Sequence, residues 1–532
     1  MKILTAAEMD AADRRTAEEA GVSLQDLMES AGSAVAAFCL RQYPAAKRIT
    51  VLCGKGNNGG DGLVAARLLA QADKKARVLL LGAENDVKGE AAEALARLRV
   101  ANTKIEILEI ADEAALSSAW GNEDLFIDAV VGTGFKPPLR GLALAARDLL
   151  LKSSGPVVAV DLPSGWDADS TKEKEDGAFR ADAVVTFTAP KLAHVFGHLT
   201  QDTFGPVVVA NIGSPDAVVQ SETALTWTGS AKVLAEQPRE MNSNKGKFGH
   251  VLVVGGSWGK AGAPAMASLG ALRTGAGLVT AGVGERIVNI VAGVAPELMV
   301  HPLAEKMRLL TNLQGQRFER LMKGISVLAI GPGLGTDGDA PEFARELVRK
   351  TKVPVVIDAD GLNAFDGKAK LLNGAGRTMV LTPHPGEMAR LAGMTVKEIE
   401  ADRIGLARRF ATEHQLTLVL KGWRTLVAHP DGRVAVNTTG NPSMAKGGSG
   451  DILTGIIAAM LAQFPADVAR AVETAVYLHG LAGDFAACAM DEHTVLATDT
   501  VGHLSDAFRY RVKDGDGLTW ICGINEGERT AR

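Results

Sequence analysis

Between Ile49 and Ala70 the chain reads I-T-V-L-C-G-K-G-N-N-G-G-D-G-L-V-A-A-R-L-L-A. The first four residues are an apolar, β-branched run of strand length. The last eight have helical spacing. Five glycines lie between them, from Gly54 to Gly62. Glycine lets the backbone take positive φ and approach a ligand closely, and the amides opening the next helix then face an anion such as a pyrophosphate. No Lys-Ser/Thr pair follows the glycines, so this is not a P-loop. Asn57, Asn58 and Asp61 put three polar side chains where a plain dinucleotide fingerprint has none. Strand, glycine loop and helix in this order predict an α/β fold.

The same grammar extends outward. Ala76–Leu81, Leu125–Val131, Val157–Leu162, Ala183–Phe187 and Val207–Ala210 read as strands, with helical segments such as Gly89–Leu98 and Leu142–Leu151 between most of them. Ala6–Ala20 and Leu24–Leu40 read as two leading helices. Around 215–240 the pattern breaks into polar residues. It then restarts with His250–Val254 and G-G-S-W-G-K-A-G, followed by strands Val327–Ile330, Val353–Ile357, Met379–Leu381 and Leu416–Leu420. Helices are expected over Pro264–Thr274, Ala340–Thr351, Ile399–His414, Ile452–Leu461 and Asp467–Cys488. The predicted organisation is an α/β domain with a mainly parallel sheet over 1–216, a junction at 217–240, a second α/β domain over 227–511 and a frayed polar tail over 512–532.

Composition narrows the function classes. Of 532 residues, 59 are glycine, about 11% against an average near 7%. Lys and Arg number 57 and Asp and Glu 62, a net charge of −5, which gives no electrostatic footprint for nucleic acid or an anionic membrane. The longest uncharged run, Ile452–Ala466, has 15 residues, short of the ~18 of a membrane span. The opening M-K-I-L-T-A-A-E-M-D has no apolar core, so a cytoplasmic protein is expected. Cys39, Cys53, Cys488 and Cys522 form no C-x-x-C pair and read as small buried hydrophobes.

Two more segments follow strands in the first half: D-A-V-V-G-T-G-F-K-P-P at Asp128–Pro138 and V-D-L-P-S-G at Val160–Gly165. Parallel strands bring their C-termini to one edge, so Asp61, Asp128, Asp161 and Ser164 are expected to converge there. Neutral oxygens with one or two carboxylates suit a hard cation of low charge. Each Asp alone also fits a helix cap or turn.

This set resembles the N-terminal epimerase domain of NAD(P)H-hydrate repair enzymes, over about Met1–Asp216. The resemblance implies a Rossmann-like fold that interconverts the R and S forms of hydrated NADH and NADPH (NADHX and NADPHX) at C6. It implies substrate contacts at Asn57, Asn58, Gly59, Gly60 and Asp61, at Gly132, Thr133, Gly134, Phe135, Lys136, Pro137 and Pro138, and at Asp161. It also implies potassium at Asn58, Asp128 and Ser164. Asp161 is the candidate acid/base, since a carboxylate at that edge can shuttle the proton needed to open and reclose the hydrated ring.

In the second half, Asn441–Gly455 reads N-P-S-M-A-K-G-G-S-G-D-I-L-T-G. Gly447, Gly448 and Gly450 open a helix whose free amides make an anion hole. Asp451 at its start is placed to take a proton from a hydroxyl attacking phosphorus, or else simply to cap the helix. G-G-S-G-D-I-L-T-G resembles the signature of ribokinase-like kinases. With K-F-G-H-V-L-V-V-G-G-S-W-G-K-A-G, I-G-P-G-L-G, D-A-D-G-L-N, T-P-H-P-G-E and L-K-G-W-R-T in order, the second half is similar to the dehydratase domain of the same repair family, over about Trp227–Arg511.

That resemblance implies nucleotide-driven dehydration: the C6 hydroxyl of the S-hydrate is phosphorylated and phosphate leaves. It implies hydrate contacts at Ala263, Gly333, His384 and Asp451, and nucleotide contacts at Lys421, Gly422, Trp423, Arg424, Thr425 and Gly450. ADP is the expected phosphoryl donor, with magnesium beside its phosphates. Asp358 and Asp360 read as phosphate or cation neighbours or as turn formers, and Ser443 and Lys446 depart from the family pattern. The partners implied are the small-molecule hydrates and ADP, with no nucleic acid or membrane, and further copies of the chain in a homo-oligomer such as a tetramer. A vitamin-precursor kinase would share the Gly-x-Gly-Asp chemistry, but T-P-H-P-G-E and the attached first half argue against it. Acids retained at the first crevice argue against a non-catalytic scaffold there.

Overall fold

The computed structural model describes residues 1–101, 104–305 and 308–525. The chain forms two compact units, Met1–Leu225 together with the segment from Arg511 onward, and Thr226–Tyr510. Both are α/β with mainly parallel sheets.

The first unit's strands are β1 (Arg48–Cys53), β2 (Lys75–Leu80), β3 (Glu106–Glu109), β4 (Leu125–Ala129), β5 (Val157–Val160), β6 (Ala183–Phe187) and β7 (Val207–Ala210). Their order, β7-β6-β5-β4-β1-β2-β3, is parallel throughout. The chain leaves β1 in one direction through β2 and β3, then returns to β1's other side with β4. Between β1 and β4 the strand order therefore reverses, and such a point opens a crevice beyond the strand C-termini. Apolar residues on both sheet faces are covered, one by the helices Leu24–Gln42, Asn57–Gln71 and Gly89–Val100, the other around Leu116, Ala146 and Leu150.

Glycine is required where the loop leaves β1. A side-chain carbon at Gly54 would lie 1.9 Å from the carbonyl oxygen of Val130, and one at Gly59 would lie 2.0 Å from that of Gly54. Gly54→Ala is expected to cost about 1–3 kcal/mol by forcing the loops after β1 and β4 apart. Faster amide exchange across β1 and β4 is the measurement, and unchanged protection would refute the close-approach argument.

The second unit holds β8 (Leu225–Trp227), β9 (His250–Val254), β10 (Leu278–Gly284), β11 (Met299–Leu303), β12 (Val327–Ile330), β13 (Val355–Ile357), β14 (Met379–Leu381), β15 (Thr417–Leu420), β16 (Leu426–Ala428) and β17 (Val434–Val436). The order is β11-β10-β9-β12-β13-β14-β15-β16-β17-β8. It is parallel from β11 to β15 and antiparallel over β15-β16-β17. The reversal falls between β9 and β12. Helices Gly262–Thr274 and Ser449–Gln463 touch backbone to backbone through Gly455, where a side-chain carbon would lie 1.9 Å from the Ala267 carbonyl oxygen.

Two sequence expectations need correction. The 217–240 junction does contain the boundary between the two units, at 225/226, but it is not polar loop throughout. It contains β8 and a 3-10 helix over Thr228–Glu236, and Trp227 is buried with its indole N–H donating to Thr438 Oγ1 at 2.7 Å. Nor is 512–525 a frayed tail. Strand β18 (Thr519–Cys522) pairs antiparallel with β7, and buried Trp520 donates to Asp514, which pairs with Arg41 at 2.8 Å. Polar composition hid a four-residue edge strand. The rest of the expected tail, 526–532, lies outside the described residues.

Candidate active sites

The loops after β1, β4, β5 and β6 surround a cleft of about 650 Å³ at the first reversal point. Asn57, Asn58, Asp61, Gly132, Thr133, Gly134, Phe135 and Asp161 all line it, as the sequence implies. Gly59 and Gly60 are buried in the first turn of the helix that begins at Asn57. Lys136 is turned aside, its ammonium paired with Asp167 and Asp169 at 2.6 and 3.0 Å. Lys136, Pro137 and Pro138 do not line the cleft.

Asp161 follows β5 at φ +66°, a left-handed conformation that turns its side chain toward the loop after β4. Both carboxylate oxygens are engaged. Oδ1 accepts from Lys191 Nζ and from Thr186 Oγ1, each at 2.8 Å; Oδ2 accepts from the Thr133 amide at 3.1 Å and from the Thr133 hydroxyl. Lys191 is 1% exposed and Asp161 5%. Burial by itself would raise the Asp161 carboxyl, but the Lys191 ammonium and these hydrogen bonds outweigh it and hold the group well below the usual carboxylate range. His194 completes the cluster. Its Nδ1 accepts from the Lys191 amide at 2.9 Å, so Nε2–H donates to the Asp161 carbonyl at 2.6 Å. Burial, then the Lys191 charge, keeps this imidazole neutral, down at about 4.

Two other carboxyls share the cleft. Asp61, half-buried, is pushed well above its ordinary value by burial and then by Asp161 and Asp13. Asp13, on the helix Ala6–Glu19, is raised to about 6, chiefly by burial and against the pull of Lys191. Sequence reading missed Asp13 and Lys191. The first sits in an ordinary amphipathic helix, the second in T-A-P-K after β6, and neither carries a local motif.

Beneath the cleft floor, Asp128 is fully buried. Its carboxylate accepts from the Ser164 amide at 2.7 Å and the Ser164 hydroxyl at 2.6 Å. Burial raises it to about 6 and these bonds oppose the rise. Among the described residues it has no cationic partner within ion-pair distance. Asn58 reaches toward the same loop: its Oδ1 is 3.0 Å from where a Gly132 side-chain carbon would stand, and its Nδ2 is buried without a partner.

In the second unit the helix starts at Ser449, and Gly448, at φ +100°, occupies the cap position. Asp451 is therefore inside the first turn and is not spent on capping, which removes the bland alternative for it. Its carboxyl is raised to about 6 by burial first, then by Asp358, with Lys421 opposing. Lys421 Nζ donates to Asp358 at 2.9 Å and lies 3.8 Å from Glu387. Burial opposes its charge, yet Asp358 and Glu387 hold the ammonium above its usual range. Thr454 donates to the other Asp358 oxygen at 2.8 Å. A side-chain carbon at Gly450 would meet Lys421 Nζ at 3.3 Å, so the glycine, the lysine and Asp358 are neighbours. Asp358 is thus an anchor. Asp360 accepts from the Gly335 amide at 2.8 Å and pairs with Lys260 at 3.3 Å, tying together the loops after β9, β12 and β13.

Gly333, at φ +64°, abuts Ala263: a side-chain carbon at Gly333 would lie 3.1 Å from Ala263 Cβ, so the two implied hydrate contacts adjoin at the reversal point. His384 caps the helix Pro385–Ala392, its Nδ1 accepting from the Gly386 amide at 3.0 Å. Its Nε2 lies 3.5 Å from Glu387 Oε1. In the loop after β15, Trp423 is 40% exposed with the Arg424 guanidinium 4.4 Å from its ring centroid, and Thr425 Oγ1 donates to the Gly422 carbonyl at 3.3 Å. Lys446 donates to the carbonyls of His493 and Val495 at 2.7 and 2.5 Å, so it pins a neighbouring loop.

Each unit thus carries a reversal-point edge where glycine loops meet acids shifted toward neutrality, the arrangement of a two-site α/β enzyme for anionic small molecules. Comparison with known proteins gives the same division. A family described as NAD(P)H-hydrate dehydratase matches residues 251–506, and one described as YjeF-related protein N-terminus matches 24–193. The bifunctional NAD(P)H-hydrate repair enzyme Nnr of Moorella thermoacetica is 41% identical, covering 96% of this chain and 97% of its own; that of Escherichia coli is 36% identical over 94% and 93%. A solved structure of ADP/ATP-dependent NAD(P)H-hydrate dehydratase from Bacillus subtilis, co-crystallised with ATP and Mg2+, is 32% identical, covers 53% of this chain and 97% of its own, and has a TM-score of 0.47. The chain belongs to the family of bifunctional NAD(P)H-hydrate repair enzymes. No helix among the described residues is long and apolar enough to cross a membrane.

Proposed function

We propose that the first unit epimerises R- and S-NAD(P)HX at C6 and that the second dehydrates the S form with ADP as phosphoryl donor. The observation that carries this reading is the pairing, in one chain, of two separate acid-bearing crevices that fit successive steps on one damaged cofactor. In the second unit, Asp451 takes the proton of the C6 hydroxyl as it attacks the terminal phosphorus. The amides at Gly448–Gly450 receive the phosphoryl oxygens as the nucleoside monophosphate leaves, and phosphate then departs from C6 as a proton leaves C5 and the C5=C6 bond forms. Lys421–Thr425 bind the nucleotide, with Trp423 and Arg424 offering a stacking face. Magnesium bound with the nucleotide would neutralise the phosphate charge there. The turnover assay is direct: mixed R and S NADPHX with ADP or ATP in turn, read as recovery of reduced-nicotinamide absorbance. No recovery with either nucleotide would sink the reading.

In the first unit, the proton chemistry passes from Asp161 to Asp61. Asp161 is ionised, with both oxygens filled by Lys191, Thr186 and Thr133, and releasing any of them would strand a buried charge. It holds the Gly132–Phe135 loop in place. Asp61 lines the cleft, and burial with the Asp161 and Asp13 charges pushes its carboxyl up and favours the protonated form, so it is the group that supplies a proton to the ring.

Potassium suits Asp128, Ser164 and Asn58. A buried carboxylate without a cationic partner, hydrogen-bonded to the Ser164 hydroxyl, fits one positive charge better than two, and Asn58 Oδ1 reaches the loop after β4 at Gly132. Such an ion would neutralise Asp128 and stiffen the loops after β1, β4 and β5. Epimerisation is expected to fall in potassium-free buffer and to ignore chelators, and Asp128→Asn is expected to raise the potassium concentration needed. Activity lost to chelator alone would refute potassium.

A further inference from the structure

We propose that Asp13 is the second proton-transfer carboxyl of the epimerase cleft, accepting the proton of the C6 hydroxyl while Asp61 donates one to the ring nitrogen. The proposal rests on the reading of the first unit as the epimerase and of Asp61 as its acid.

The geometry comes first. Asp13 lines the cleft from the helix Ala6–Glu19, an element distinct from every loop that carries the glycine motifs. Its Oδ1 is buried and has no hydrogen-bond partner in the protein. A buried carboxylate oxygen left unpaired is costly, and such groups are ordinarily satisfied by protein or water. Asp13 as a residue borders the cleft, so a donor arriving there pairs with its carboxyl, and the C6 hydroxyl is a donor. The charged groups that face Asp13 are Asp10 on its own helix, Asp161 after β5 and Lys191 after β6; it faces Asp61 in turn. Lys55 and Glu90 line the same cleft.

The chemistry needs two groups. C6 carries the hydroxyl and is bonded to N1. When the hydroxyl loses its proton, the O–H electron pair forms the C6=O bond. The C6–N1 pair moves to the nitrogen, which takes a proton. Rotation about C5–C6 presents the other face, and the reverse steps reclose the ring with inverted configuration. Nothing is oxidised or reduced: on reclosure Asp13 gives its proton back to the oxygen and N1 gives its proton back to Asp61. One ionised and one protonated carboxyl must therefore coexist: Lys191 pulls against the rise of Asp13, which stands at about 6, while burial and then Asp161 and Asp13 push Asp61 up and favour its protonated form.

The test uses the full-length chain and pure R-NADPHX, with the two epimers separated chromatographically so that the second unit plays no part. The wild-type rate is expected to rise with pH through about 6, as Asp13 ionises, and to fall at higher pH as Asp61 loses its proton. Asp13→Asn is expected to lower the rate by roughly 10²-fold or more and to erase the acid limb, while dehydration of pure S-NADPHX is unchanged. Asp13→Glu is expected to restore part of the rate with the limb displaced, and it carries the test if the amide variant misfolds. A slowed Asp13→Asn whose acid limb is unchanged would make Asp13 merely structural and overturn the proposal, as would a variant at the wild-type rate. Wild-type rate in Asp61→Asn would instead overturn the Asp61 assignment, and absence of wild-type epimerisation the reading of the unit.

Discussion

Asp451→Asn is expected to slow dehydration of S-NADPHX by roughly 10²–10⁴-fold while nucleotide binding persists, the range for losing a positioned general base. The amide keeps the size of the side chain, and the cap position is Gly448, so the helix start and its anion hole stay in place. What is lost is the only carboxyl in that first turn that can accept a proton. The wild-type rate is expected to rise with pH through about 6, because burial and then Asp358 raise Asp451 to that value and the base works only when ionised. Steady-state kinetics with pure S-hydrate and calorimetric nucleotide titration decide it. A variant within a few-fold of wild type would remove Asp451 from catalysis.

Lys191→Met should destabilise the first unit by about 3–5 kcal/mol and stop epimerisation, because it leaves buried Asp161 as an uncompensated charge. The sign with pH follows from the held-down Asp161 carboxyl. A depressed folded-state pKa contributes stability that is present above the unfolded carboxylate value and lost as pH falls through the folded one. The variant's deficit is therefore largest at neutral pH and shrinks in acid, where its Asp161 can protonate. Lys191→Met with Asp161→Asn should recover much of the stability, since removing both partners is far cheaper than removing one. Urea unfolding at neutral and acid pH measures all three. A single-variant loss below about 1 kcal/mol would show that the pair does not anchor the loop after β4.

Much of the architecture was legible in the chain. Strands such as His250–Val254, Val327–Ile330 and Met379–Leu381 fall where the apolar runs place them, because a strand buried on both faces leaves a continuous local signal. The glycine loops show locally as well, as clusters between a strand and a helix, although the approach that demands Gly54 is to Val130, far along the chain. Elements without such signals were missed. Strand β18 is four residues in a polar tail, and β8 lies in a stretch read as a junction.

Site chemistry divides the same way. The sequence by itself determined which loops reach each crevice and that Asp61, Asp161 and Asp451 stand on them, since parallel topology sends every strand's C-terminus to one edge. Only the tertiary structure decided their states. Lys191, 30 residues from Asp161, fills its oxygens and holds it ionised. Asp13 enters from a leading helix with no motif. His384 spends one nitrogen as a helix cap. Protonation is set by desolvation and by charges a few ångströms away, and neighbours across a packed fold leave no periodicity in the chain.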